Sequence, residues 1–239
     1  MEKVYVHVKN GVPINEDIQK AIDGFEYLGY EAIPITMEKM LAGDLDHLAK
    51  KYPVVGSIDF MTRLFNRLDK LPEPIDFPED IHQWLNRTIL RVNLAFVMSG
   101  KYTNVFIKPI QTKLFDGIFI TEESQLSFLK DYPLSTEVWF SEKIDIVSEH
   151  RIYVHNGEMI YGCNYSGDFK FSPDYFYVAK LIASYTNAPK AYTIDVAILD
   201  DGKNTVVEFN DFWAIGGYGI APWDYASMLK DRYFEILKL

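Results

Sequence analysis

Residues 192–219 read YTIDVAILDDGKNTVVEFNDFWAIGGYG, two β-rich runs that meet at Asp201-Gly202 and lead into a loop with three glycines among aromatics. Asp-Gly between β-branched runs predicts a tight hairpin. With those two residues as the loop, Asp200 faces Lys203, Asp195 faces Glu208, and Asn210 faces Thr193. Side chains alternate along a strand, so Asp195, Glu208 and Asn210 then share one face. Ile194, Val196, Ile198, Val207 and Phe209 form the other face, which reads as core. A three-residue loop would send Asp195 to the face opposite Glu208 unless a bulge restored the register.

Facing carboxylates repel, and acidic residues are poor strand formers. A cation between them turns that cost into a binding site. Two carboxylates and an amide form an all-oxygen set suited to Mg2+, with phosphate oxygens and water completing the shell. A hairpin whose polar face simply meets solvent is the plain alternative.

Upstream, 104–108 (NVFIK) is a strand ending at Lys108-Pro109, and 118–121 is another. The loop between them carries Lys113 and Gly117. Lysines at its start and middle can wrap a polyphosphate as point charges, or they can be solvated surface groups. The P-loop pattern is absent from it, and no G-x-G-x-x-G follows the first strand of the chain. Residues 149–154 lead into a strand that places Arg151 and Tyr153 on the face opposite Ile152 and Val154. An arginine removed from water needs an anionic partner. Glu149 on the same face can supply it, and so can a phosphate.

At the start of the chain, 3–8 is β-rich, 14–30 has helical spacing and 31–35 is β-rich again. Strand, helix, strand predicts a small α/β unit with a parallel sheet. Pro72, Pro74 and Pro78 mark an extended connector near residue 80. Residues 81–91 have mixed helical character. Asn156-Gly157 predicts a second hairpin, 174–185 is an amphipathic helix, and 224–237 closes the chain as a helix.

Composition sets outer limits. The chain of 239 residues carries a net charge of −10, which disfavours non-specific binding to nucleic acid or to anionic membrane. With 48% hydrophobic residues and interspersed charges it is expected to fold rather than remain disordered. Cys163 is the only cysteine, so no intrachain disulfide can form. With no signal-like or membrane-spanning run, a cytoplasmic location is expected.

The order strand-Lys-Pro-loop-Lys, acidic hinge, strand arginine, Asp, then Glu-x-Asn and a glycine loop resembles the ATP-grasp superfamily. The stretches that carry this are FIKPIQTKLFDG, SEKIDIVSEHRIYVHNG and the opening hairpin. The match is closest to the small clade named for two arginines and a lysine. The resemblance spans about 105–233, and before it only VVGSIDFM and the α/β pattern are similar to the family. It implies an α/β and α+β ATP-grasp fold. A pre-ATP domain at 1–80 would precede an ATP-grasp domain at 81–239, with a smaller lobe at 81–140 and a larger lobe at 141–239 enclosing the nucleotide.

The resemblance also implies roles. Lys108 and Lys113 would contact the ATP phosphates. Glu142, Lys143 and Ile144 would read adenine, and Asp145 would meet ribose. Arg151 would bind the γ-phosphate or the intermediate, so Arg151 and Lys113 would be catalytic. Asp195, Glu208 and Asn210 would hold Mg2+. The implied activity joins a carboxylate to an amine through an acylphosphate, on a small molecule, peptide or protein terminus. A small-molecule kinase, or an ATP-binding module without catalysis, is the alternative on the same scaffold. Tyr161, Tyr165, Trp213, Tyr218 and Trp223 are aromatic candidates for the acceptor pocket. Two features depart from commoner relatives: a single glycine in the phosphate loop, and Asp-Phe-Trp after Asn210.

Overall fold

Strand β1 (Glu2–Lys9) is buried on both faces from Val4 to Val8, the pattern of a parallel strand covered by helices. Asn10 and Gly11 take positive φ and turn the chain into the short antiparallel β2 (Val12–Pro13). Asn15 then caps α1 (Glu16–Tyr27), accepting from the Ile18 N–H at 3.0 Å. The chain returns through β3 (Tyr30–Ile35), α2 (Met37–Ala42), β4 (Val54–Val55) and α3 (Ile58–Arg67). Both β3 and β4 pair parallel with β1, as the strand–helix–strand pattern predicts. The structure is a computed structural model and describes residues 2–100, 102–111 and 114–238.

A 3-10 segment at Glu79–Trp84 follows the proline-rich connector. The run 81–91 that reads as mixed helical is 3-10 helix as far as Trp84 and enters β5 (Ile89–Asn93) at its end. After helix α4 (Leu94–Ser99), strands β6 (Val105–Pro109), β7 (Ile118–Ile120) and β8 (Glu137–Glu142) complete a sheet of order β5-β8-β6-β7. Val105, Ile107 and Val138 pack on one face of it with Leu94, Val97, Leu126 and Leu129.

The third sheet, of order β10-β9-β11-β12, holds the opening hairpin. It comprises β9 (Ile146–His155), β10 (Glu158–Gly167), β11 (Ala191–Leu199) and β12 (Asn204–Asp211). Helix α5 (Tyr175–Ser184), capped by Asp174, covers one face through Val178, Leu181 and Ile182. Phe77, Ile81 and Leu85 join the same core, so the end of the connector packs with this sheet.

Helix α6 (Pro222–Leu237) returns to the beginning of the molecule. Its Tyr225, Ala226 and Leu229 share a core with Val4, Val6, Ile18 and Phe25, and its Tyr233, Ile236 and Leu237 share one with Tyr5, Phe60 and Leu64. Gly24 lets α1 approach its N-terminus: a Cβ there would lie 1.9 Å from the Pro222 carbonyl oxygen. Alanine is intrinsically the better helix former by about 1 kcal/mol, but this contact is with backbone and has little room to relax. Gly24→Ala is therefore expected to destabilise the chain by about 2 kcal/mol in denaturant titration. A variant as stable as wild type would mean that α6 does not seat there. Among the described residues no helix is long and apolar enough to cross a membrane.

Candidate active site

The hairpin reaches the expected pairing by a different route. Asp195 lies opposite Glu208 and Thr193 opposite Asn210, but nearer the turn Ile198 pairs with Asn204 and Val196 with Val206. The loop is Asp200-Asp201-Gly202, closed by Leu199 N–H to Lys203 O at 2.8 Å and Gly202 N–H to Leu199 O at 2.9 Å. Gly202 has φ +80°, as a three-residue loop requires at its last position. A bulge at Val207 then restores the register. Val206 fills the core position expected for Val207, which is only half-buried.

On the cleft side, Asp195 also faces Arg151 on β9. Arg151 Nε donates to Asp195 Oδ1 at 2.8 Å and its second guanidinium nitrogen to Oδ2 at 2.7 Å, a bidentate pair. Asp195 is 1% exposed and Arg151 7%. The Tyr165 and Tyr218 rings flank the guanidinium at 5.3 and 5.0 Å, and the Tyr165 hydroxyl donates to Asp195. Burial works against the charge on Arg151, but the bonds to Asp195 outweigh it and hold its pKa above the ordinary value. The partner of Arg151 is thus Asp195 across the ladder.

Glu208 is held from two sides. Its Oε2 accepts from Lys108 Nζ at 2.7 Å and its Oε1 from the Asn210 amide at 2.9 Å. The same ammonium donates to Asp76 Oδ1 at 2.5 Å, and Trp139 Nε1–H donates to Asp76 Oδ2 at 3.0 Å. Asp76 comes from the proline-rich connector, and its carbonyl accepts the Phe209 N–H at 2.9 Å. Burial alone would raise the Glu208 carboxyl, yet Lys108 beside it brings its pKa below the ordinary value. Lys108 is raised in turn: burial opposes its charge, and Glu208 and Asp76 overcome that.

The loop after β12 is tied to α1. Gly217 N–H donates to Asp17 Oδ1 at 2.8 Å, Lys20 Nζ donates to the Gly217 carbonyl, and Tyr153 and Tyr225 donate to the Gly216 and Ile215 carbonyls at 2.9 Å. These elements enclose a cleft of about 560 Å3 lined by Lys108, Arg151, Glu208, Asn210, Phe106 and Tyr218, among others. A smaller cavity of about 110 Å3 shares Asp17, Ile58, Trp213 and Gly216 with it.

Residues 84–228 match the model of an ATP-grasp domain family, the second family of the clade named for two arginines and a lysine. The chain belongs to this family. Solved ATP-grasp structures share the fold along nearly its whole length. D-alanine–D-alanine ligase from Bacillus anthracis is 13% identical, with a TM-score of 0.59 over 100% of this chain and 99% of its own. N5-carboxyaminoimidazole synthetase from Staphylococcus aureus is 11% identical, with a TM-score of 0.62 over 97% of this chain and 77% of its own. The ATP-grasp ligase PsnB, complexed with minimal precursor, is 13% identical, with a TM-score of 0.54 over 96% of this chain and 99% of its own. No curated protein matches the chain.

In this ATP-grasp chain, Lys108, Arg151, Glu208 and Asn210 meet in one cleft, with Asp195 behind Arg151. Lys113 lies outside the described residues. Glu142, Lys143, Ile144 and Asp145 do not line the cleft. The Glu142 carboxylate accepts the Thr88 N–H at 2.6 Å, and Lys143 pairs with Asp145 at 2.6 Å in solvent. Of the aromatic candidates, Trp213 and Tyr218 line the cleft, Tyr165 flanks Arg151, Tyr161 packs on the core beside Tyr153, and exposed Trp223 packs at a tilt against Tyr27. Sequence reasoning misses Asp76; an acid amid three prolines is its one local signal.

Proposed function

We propose that this protein is an ATP-dependent ligase that joins a carboxylate to an amine through an acylphosphate. The observation that carries this reading is the convergence of Lys108, Arg151, Glu208 and Asn210 on one cleft of an ATP-grasp chain. The acid and amine belong to small molecules, peptides or protein termini. Residues 1–80 form the pre-ATP domain in this reading. Lobes 81–140 and 141–239 hold the nucleotide, with the 142–145 segment on its adenine side.

The donor set agrees with Mg2+ in part. Glu208 and Asn210 offer a carboxylate and an amide oxygen, and Asp76 and Glu208 share a single ammonium, leaving one unmatched negative charge. Asp195 is buried and bonded to Arg151 through both oxygens, so it reaches a metal only if that pair opens, whereas Glu208, also bonded through both oxygens, lines the cleft. When bound, Mg2+ supplies charge neutralisation at the phosphates. Lys108 and Lys113 position the phosphates, and Arg151 directs its remaining N–H groups at the transferred group. Phosphoryl transfer calls for this positioning and charge balance more than for a covalent protein group. The smaller cavity, beside Asp17 and Trp213, takes the acceptor.

The test is ADP release across a panel of acids and amines. Sustained ADP release beyond one equivalent is expected only when both substrates are present, with a ligated product, and Glu208→Gln is expected to abolish it while the fold survives. Glu208→Gln probes the site more cleanly than Asp195→Asn, because Lys108 keeps Asp76 whereas Arg151 loses its buried partner. ADP without a ligated product would replace the reading by a kinase. ATP binding without any turnover would replace it by a binding module.

A further inference from the structure

Arg87 stands apart from the groups that line the cleft and reaches the outer edge of β12. One guanidinium nitrogen donates to Leu85 O at 3.1 Å and Val206 O at 2.6 Å, and the other to Val207 O at 3.0 Å. The group lies 5.9 Å from the Phe77 ring centroid. Burial, with no carboxylate bonded to it, pulls its pKa down to about 10. A cation so placed is expensive for mere packing.

Successive carbonyls of a regular strand point to opposite edges, so one guanidinium does not ordinarily collect both. Here it does, because the bulge between Val206 and Glu208 turns Val207 out of the alternation. β12 is an edge strand, and these outward carbonyls have no neighbouring strand to bond. Two further bonds fasten the same turn to the same strand: Asn86 Nδ2–H to Asn204 O at 2.7 Å, and the Thr205 hydroxyl to Leu85 O at 2.5 Å.

The bulge decides which face Glu208 occupies. If the pairing near the loop ran on without it, Asp195 would face Val207 and Glu208 would face Ile194, turned into the core. We propose that Arg87 is a positioning residue whose grip on the Val206 and Val207 carbonyls fixes the bulge and thereby holds Glu208 and Asn210 on the cleft face. Any consequence for nucleotide binding rests on the function proposed above; the register does not.

Residue-resolved amide hydrogen exchange on the full chain tests this in wild type, Arg87→Lys, Arg87→Met, and Arg87→Met with Val207 deleted. In Arg87→Met the β12 amides, including Phe209, which is bonded to Asp76, are expected to exchange roughly tenfold faster or more while β9 amides keep their protection. Arg87→Lys should fall between, since a point charge does not span two carbonyls. Deleting Val207 should return protection, because Val206 and Glu208 then alternate with no bulge to hold. Where wild type binds Mg·ATP, affinity should follow the same order. Unchanged β12 exchange in Arg87→Met overturns the proposal. So does equal acceleration in β9 and β12, or a folded Val207 deletion that stays unprotected. Should Arg87→Met not fold, Arg87→Lys is read by the first two criteria. Wild type that binds no nucleotide removes the proposed function and leaves the exchange result to decide the clamp.

Discussion

Arg151→Met is expected to destabilise the fold by about 4 kcal/mol at neutral pH and to abolish ATP turnover. Arg151 donates two short hydrogen bonds to Asp195 across β9 and β11 in a site from which water is nearly excluded. Methionine keeps the packing between Tyr165 and Tyr218 but leaves a buried carboxylate with only the Tyr165 hydroxyl. Breaking one side of a buried pair is far more costly than the pair is worth, since the remaining charge has lost both water and partner. Burial already raises the Asp195 carboxyl, and without the opposing guanidinium it rises further. A carboxyl whose folded pKa exceeds its unfolded value takes up protons on folding, so stability falls as pH rises through that window. Denaturant titrations of Arg151→Met at about pH 5 and about pH 8 should therefore show the acidic sample as the more stable relative to wild type. Adding Asp195→Leu should recover most of the loss in stability and none of the turnover. A loss under about 1 kcal/mol with no pH dependence would mean that Asp195 is not desolvated as described.

The same pair shows how far local sequence reasoning reaches. Alternation and Asp-Gly identify two strands and put Asp195 opposite Glu208, because both signals act over a few residues. The loop has three residues, however, and the expected pairing is recovered only through the bulge at Val207. Local propensity does not encode that bulge. Its carbonyls are held by Arg87, about 120 residues away. Asp76 is invisible for the same reason, since its role arises from Lys108, Trp139 and Phe209, which only the tertiary fold brings to it. Strand β5 reads as mixed helical because its apolar residues, Ile89, Leu90 and Val92, do not alternate with period two; its pairing with β8 settles its conformation. For Arg151, alternation gives the right face but the wrong partner. Glu149 is near in sequence, whereas the ladder brings Asp195 nearer in space.

Lys108→Met is expected to destabilise the chain by about 3 kcal/mol at neutral pH and to reverse the sign of its response to acid. In wild type Lys108 stands between Asp76 and Glu208, with Trp139 and Asn210 satisfying the outer oxygens. The lowered Glu208 pKa means that its share of stability is present above the unfolded carboxyl value and is lost as pH falls through the folded one. The raised Lys108 pKa means that its share is present below the unfolded ammonium value and is lost as pH rises through the folded one. The bridge therefore stabilises throughout the neutral range and weakens at both extremes. Removing the ammonium leaves burial as the dominant influence on Glu208, whose folded pKa then lies above its unfolded value. Protonation becomes stabilising, so the variant should gain stability on acidification over a range where wild type loses it. Melting temperatures across pH would show the two curves converging towards acid. Lys108→Met combined with Glu208→Gln should recover part of the loss, since it removes one of the two charges left unpaired, and the double-mutant cycle would report the coupling directly. Parallel curves displaced by a constant amount would instead assign Lys108 a packing role through its aliphatic stem. The ammonium that would draw phosphates into the cleft also holds two carboxylates of the folded chain together. Loss of turnover in Lys108→Met therefore counts for the nucleotide site only at a pH where the variant is shown to be folded.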